Sequence, residues 1–133
     1  MLSAVPESHR DLLRSDIKAL AFLGTTMPDG SPQVTPVWFD VEGEVIRINT
    51  ARGRAKERNM AARPRVAMAI ADPADPYRYL QIRGTVIEMR ERGAAEHIRQ
   101  LSRKYSGTDD FPVSAGQVRV MVLIRPDHVS VKA

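Results

Sequence analysis

Apolar and polar residues alternate along most of this chain, and three stretches of helical spacing interrupt the alternation. Residues 6–15, PESHRDLLRS, open on a proline that a first helical turn tolerates and place Glu7 near the positive end of the dipole. They predict a short helix with Leu12 and Leu13 turned inward. IKALAFLGTT, residues 17–26, reads as a strand with one buried face, and MPDGSPQ supplies proline, aspartate and glycine in turn order. The partner strand is QVTPVWFDV, residues 33–41, rich in β-branched and aromatic side chains. EGE then makes a tight turn into VIRINT, residues 45–50, so three antiparallel strands are expected in succession.

After Thr50 the period changes. GRAKERNMAARP, residues 53–64, holds helix formers with Ala55, Met60 and Ala61 toward one side, and Pro64 ends it. RVAMAIAD, residues 65–72, is again a strand. DPADPYR, residues 72–78, reads as a rigid loop, and YLQIRGTVIEM, residues 79–89, as a long strand in which Gly84 marks a bulge or kink. A helix is predicted over 92–105, where Ala95, Ile98, Leu101 and Tyr105 fall at helical spacing before the SGTDDFP turn cluster. The last strand, QVRVMVLIRP, sets Val118, Val120, Val122 and Ile124 on one face. Six or seven strands with three short helices and hairpin connections predict a mainly β fold, and a sheet that long in so small a chain tends to close into a barrel.

Length and composition narrow this further. The 133 residues fit one domain, 1–133, and 43% apolar with 27% charged residues suits a globular core. The absence of cysteine excludes a disulfide scaffold, a thiolate metal site and a cysteine nucleophile. No apolar run approaches the roughly 18 residues of a membrane span, and the start of the chain carries charge and proline where a signal segment would be apolar, so a cytoplasmic protein is expected. The net charge is +4, and the segment 52–65 alone carries +5: Arg52, Arg54, Lys56, Arg58, Arg63 and Arg65 against Glu57. Cations confined to one turn and one helix favour one or two phosphates over the spread face that a nucleic acid requires.

Candidate chemistry gathers around that turn. His9, His97 and His128 are far apart and lack metal-ligand spacing, no serine sits in a GxSxG elbow, and neither phosphate-binding glycine motif is present. What remains is Asn49 and Thr50 at a strand end, then Arg52, Arg54 and Lys56 at alternate positions, then Asn59. A hydroxyl delivered into a turn, helix N-terminal amides and flanking cations form a workable phosphate cradle; the same residues also suit a solvated basic helix end. Pro36 inside QVTPVWF implies an edge strand, a bulge or a stretch that faces something other than a neighbouring strand. Val37 and Trp38 beside it offer apolar packing and one donor to a flat ring. Tyr77, Arg78 and Tyr79 follow the DPADP loop and suit either a ligand clamp or a surface aromatic cluster.

DGSPQVTPVWF, INTARGRAKERNM, RPRVAMAIADPADPYRYLQIRGTV and RKYSG, in this order and spacing, resemble the flavin-binding split barrels related to pyridoxamine 5′-phosphate oxidase, in the branch that uses the deazaflavin coenzyme F-420. The resemblance covers nearly the whole chain. It implies a six- to seven-stranded antiparallel split β-barrel working as a homodimer, with cofactors in two grooves at the subunit interface. By the resemblance, the QVTPVW strand (Gln33, Thr35, Pro36, Val37 and Trp38) lies along the ring system. The NTARGRAK turn, with Asn49, Thr50, Arg54 and Lys56 first and Arg52 and Asn59 next, is the phosphate-binding segment. Tyr77, Arg78 and Tyr79 would lie near the cofactor or its tail. The chain stops at Ala133 without the C-terminal extension of pyridoxamine 5′-phosphate oxidase itself, which argues against vitamin B6 synthesis.

The activity this implies is F-420-dependent reduction, with a hydride passing to a conjugated, electron-poor small molecule such as a biliverdin-like tetrapyrrole, a quinone or an enone. The alternatives are an FMN-dependent oxidoreductase of the same fold and a non-catalytic flavin or deazaflavin carrier. No catalytic side chain, metal, nucleic acid or membrane is expected to take part.

Overall fold

In the computed structural model, which describes residues 2–132, a 3-10 helix over Glu7–Leu13 precedes seven strands and two α-helices. The strands are β1 (Ala21–Thr26), β2 (Pro32–Val37), β3 (Phe39–Glu42), β4 (Val45–Ala51), β5 (Arg65–Asp72), β6 (Asp75–Arg90) and β7 (Arg119–Lys132). The helices are α1 (Ala55–Ala62), between β4 and β5, and α2 (Ala94–Ser106), between β6 and β7. All strand pairs are antiparallel, and the sheet order is β2-β1-β5-β6-β7-β4-β3.

The predicted strand 33–41 is two strands. It breaks at Trp38: Pro32–Val37 pairs with β1, and Phe39–Glu42 pairs with β4. These halves stand at opposite ends of the sheet order yet are joined by one residue, so the sheet has to curl until its edges approach each other. The result is a split-barrel-like fold of curled antiparallel sheet and few short helices. Pro36 pairs with Phe22 on the edge strand β2, where a missing N–H interrupts no ladder on the open side.

A second correction concerns 72–78. The loop is shorter than its two prolines and two aspartates suggest, because β6 already begins at Asp75 and carries Tyr77 and Arg78 as strand residues. The 16-residue β6 and 14-residue β7 stay paired through two register shifts, one between Arg83 and Gly84, as the isolated glycine implies. A Cβ on Gly84 would lie 2.6 Å from the Arg125 carbonyl oxygen and 2.9 Å from Ile124 Cγ2. The close approach of β7 therefore requires glycine there.

The inner face of the sheet is the core. Phe39, Ile46, Ile48, Ile70, Leu80, Ile82, Val120, Val122 and Ile124 are fully buried in one cluster, joined by Leu12 from the 3-10 helix and Met60 from α1. Each large side chain removed from water contributes about 1.5–3 kcal/mol. Val118, expected on the same face as Val120, precedes β7 and is exposed. The opposite face of β7 is buried too: Met121 and Leu123 pack with Ala94 of α2 and Val45 of β4. α1 follows directly on β4, and α2 packs against β4 and β7.

Candidate functional site

The turn between β4 and α1 is built by its own residues. Gly53 takes φ +91°, and Glu57 reaches back so that its Oε1 accepts the Gly53 N–H at 2.8 Å. A carboxylate in the first turn of a helix, returned to the residues that precede it, holds that turn and favours the dipole. Arg58 donates to the Gly53 carbonyl from the other side. Arg52 is drawn into this structure, with its guanidinium on Glu57 at 3.4 Å and Glu91 at 3.1 Å, and its charge is spent there.

Arg54 and Lys56 differ from Arg52. Neither has an acidic partner among the described residues. Lys56 points across to the edge strand, where its Nζ donates to Thr35 Oγ1 at 3.3 Å. Burial holds its pKa below the ordinary lysine value, and the neighbouring charges of Arg54 and Arg119 depress it further. Arg119, at the start of β7, is only 6% exposed, and burial followed by repulsion from Arg54 lowers its pKa as well. Three cations are thus held together against mutual repulsion, two of them partly desolvated. Just before the turn lies Thr50, whose Oγ1 is the one buried side-chain polar atom without a hydrogen-bond partner among the described residues.

Asn59 and Gln33 join this region by a different route. Asn59, 2% exposed, donates to Thr25 Oγ1 at 3.0 Å and to Met27 Sδ at 3.2 Å, and Thr25 Oγ1 donates to Gln33 Oε1 at 3.0 Å. Asn59 is thereby a tether that fastens α1 to β1. Asn49 faces α2: its amide is shared between the Ala94 carbonyl, His97 and Arg119.

Trp38 stacks on Tyr105 of α2 at 5.3 Å between ring centroids and meets the edge of Phe111 at 6.1 Å, and Arg119 lies over Phe111 at 5.6 Å. An aromatic wall thus runs from the β2–β3 junction to the cation cluster. Val37 is buried in the core and Pro36 stays exposed on the edge. Beneath the wall, Lys104 Nζ donates to the Phe39 carbonyl at 2.9 Å and sits over the rings of Phe39 and Tyr105, and burial pulls its pKa down to about 8. Tyr105 donates to the Ala19 carbonyl at 2.5 Å, and burial pushes its pKa up to about 12.

The residues of β6 stand apart from this cluster within one chain. Arg78 is clamped to Asp11 and Asp72, at 2.5 and 3.0 Å, and to the Ser8 carbonyl, a strut between β6 and the 3-10 helix that raises its pKa. Tyr77 is 80% exposed, and Tyr79 lies in the ladder opposite Ala71 and Lys132. The sequence reading missed Arg119, Phe111 and Tyr105. A lone arginine interrupting the apolar run VRVMVLI on the α2 side was the available signal.

The pyridoxamine 5′-phosphate oxidase family profile matches residues 5–132. The chain belongs to the pyridoxamine 5′-phosphate oxidase family. Among solved structures of that fold, an F-420 reductase is 37% identical, with 95% of this chain and 98% of the other covered at a TM-score of 0.85. A conserved hypothetical protein from Mycobacterium tuberculosis is 21% identical, with 96% and 84% covered and a TM-score of 0.72. The Group A Streptococcus protein HupZ is 16% identical, with 96% and 93% covered and a TM-score of 0.70; at these lower identities the likeness is one of fold alone. No curated protein sequence matches the chain. No helix among the described residues of this family member is long and apolar enough to cross a membrane, and no group of side chains among them is arranged to hold a metal ion.

Proposed function

We propose that this protein is an F-420-dependent oxidoreductase that reduces a conjugated, electron-poor small molecule of the tetrapyrrole, quinone or enone class. The observation that carries the reading is the cluster of Arg54, Lys56 and Arg119, cations without acidic partners among the described residues, in a chain 37% identical to an F-420 reductase over nearly its full length.

The donor set fits a ribityl phosphate. Two guanidinium groups offer forked hydrogen bonds, and Lys56 offers a compact point charge. Binding an anionic phosphate would also relieve the repulsion among the three cations. The coenzyme, when bound, supplies the hydride from its C5 carbon. The chain's own part is to bind, orient and exclude water. Thr35 and Pro36 on the edge strand supply the surface for a flat ring, and Trp38, Tyr105 and Phe111 close the side toward the core. The hydroxyl of Tyr105 and the ammonium of Lys104 are committed to backbone carbonyls, so the acceptor takes its proton from solvent.

A second copy of the chain completes this reading. Phe22, Val34 and Ala67 stay exposed on adjoining strands β1, β2 and β5, where Phe22 faces Pro36 and Gly24 faces both Val34 and Ala67. A homodimer would cover this apolar face. Sedimentation equilibrium should give twice the chain mass. For the activity, reduced F-420 is mixed with the protein and biliverdin, a quinone or an enone, and coenzyme oxidation is followed by absorbance. Acceleration over the protein-free rate with at least one acceptor is expected, and none with any of the three classes contradicts the reading.

A further inference from the structure

Arg119 owes its place in the cluster to a chain of hydrogen bonds that begins beneath α2. Asn49 Nδ2 donates to the Ala94 carbonyl at 2.8 Å and to His97 Nδ1 at 3.1 Å, which leaves Oδ1 to accept Arg119 Nε at 2.9 Å. The amide has one workable orientation. A carbonyl can only accept and a guanidinium can only donate, so a flipped amide would set oxygen against oxygen at Ala94 and N–H against N–H at Arg119. His97 Nδ1 is therefore the acceptor, and the ring carries its proton on Nε2, which donates to Asp40 Oδ1 at 3.1 Å. Asp40 is fixed in turn by Arg47, whose Nε and terminal nitrogen donate at 2.8 and 2.6 Å. His97 is 2% exposed, so water does not compete for either ring nitrogen.

We infer that Asn49 and His97 are positioning residues for Arg119: Asp40 selects the His97 tautomer, His97 and Ala94 orient the Asn49 amide, and that amide holds Arg119 as the third cation of the anion site. The inference rests on the reading of the cluster as a phosphate site. A tether is needed because Arg54 repels Arg119 and burial penalises its charge; an unheld guanidinium would turn toward solvent. Phe111 limits the movement on the other side, at 5.6 Å from the guanidinium carbon. Second partners that orient a first ligand-binding group are a general means of preorganising a charged site.

The test compares F-420 with its phosphate-free deazaflavin core in fluorescence titrations of wild type, Asn49→Leu, Arg119→Met and the double variant. Each single substitution should weaken F-420 binding about tenfold, the size of one charge-assisted hydrogen bond, and leave the phosphate-free core unchanged. The double variant should bind no worse than Arg119→Met, since Asn49 acts only through Arg119. Unchanged F-420 affinity in Asn49→Leu, equal weakening of both ligands, or a hundredfold additive loss in the double variant would overturn the proposal while the phosphate site stands. A wild type that binds no deazaflavin overturns both. Nitrogen-15 NMR of the wild-type histidine side chains needs no variant: His97 should show the Nε2–H tautomer, and the Nδ1–H tautomer would refute the network.

Discussion

Lys56 of α1 donates to Thr35 of β2 across 3.3 Å, and this contact joins the two segments that the sequence separately nominates for phosphate and ring. Twenty-one residues separate them in the chain. The bond spans from the helix after the basic turn to the open edge of the sheet, so one end of a ligand at Arg54 and Lys56 would have its other end along β2.

Replacement of Lys56 by alanine should weaken F-420 binding by about 1.5–3 kcal/mol, the worth of a hydrogen bond to a charged group. Folding should not suffer, because the substitution removes a partly desolvated cation that Arg54 and Arg119 repel. Titration of the variant alongside a thermal melt separates the two effects. Equal affinity in variant and wild type would remove Lys56 from the site.

Gly84→Ala should cost about 1–3 kcal/mol, the usual range for overpacking, because the new methyl would press on the Arg125 carbonyl of β7. Gly24→Ala is the control. Its Cβ would meet nothing closer than 3.5 Å, so the change should be neutral or slightly stabilising. Urea unfolding of both variants checks the contrast.

Part of the fold was legible because three of the six strand pairings, β1–β2, β3–β4 and β5–β6, join neighbours in the chain. The β1–β2 and β3–β4 hairpins follow from their turn residues, and Gly84 and Pro36 announce a bulge and an edge. The break at Trp38 was not legible, since the inward parity of Gln33, Thr35 and Val37 continues unbroken into Phe39. Only the change of partner from β1 to β4 reveals it, and that is a property of the curled sheet. The site divides in the same way. The basic turn is contiguous in sequence and was readable, whereas Arg119 reaches it from a strand 65 positions beyond Arg54. Asn49 and Arg52 were read as ligand contacts from their neighbourhood, but their side chains are taken up by His97, Ala94 and Arg119 in one case and by Glu57 and Glu91 in the other.

Arg78→Met should lower the melting temperature and loosen the 3-10 helix while leaving F-420 affinity within twofold of wild type. The side chain is committed to Asp11, Asp72 and the Ser8 carbonyl. Faster amide exchange at His9 and Leu12 in the variant would show the loosening. A large loss of coenzyme affinity with an unchanged melt would place Arg78 in the ligand site instead.

Lys104 gives the protein an alkaline signature. Its pKa is about 8 in the folded state, below the ordinary 10.5, because burial disfavours the charged amine. Between these values the unfolded chain holds the proton that the folded chain has released, so stability from this group rises as pH climbs from about 8 to about 10.5. Urea midpoints across that window should rise more steeply for wild type than for Lys104→Met. Parallel slopes would mean that Lys104 titrates as an exposed lysine.

The central claim is that the cluster of Arg54, Lys56 and Arg119 is the phosphate end of a deazaflavin site, and a fluorescence titration with F-420 and FMN at matched salt tests it most directly. Micromolar or tighter binding of F-420, in preference to FMN, is the predicted result. Tighter binding of FMN would keep the cradle and replace the coenzyme, and failure of both to bind would contradict the account.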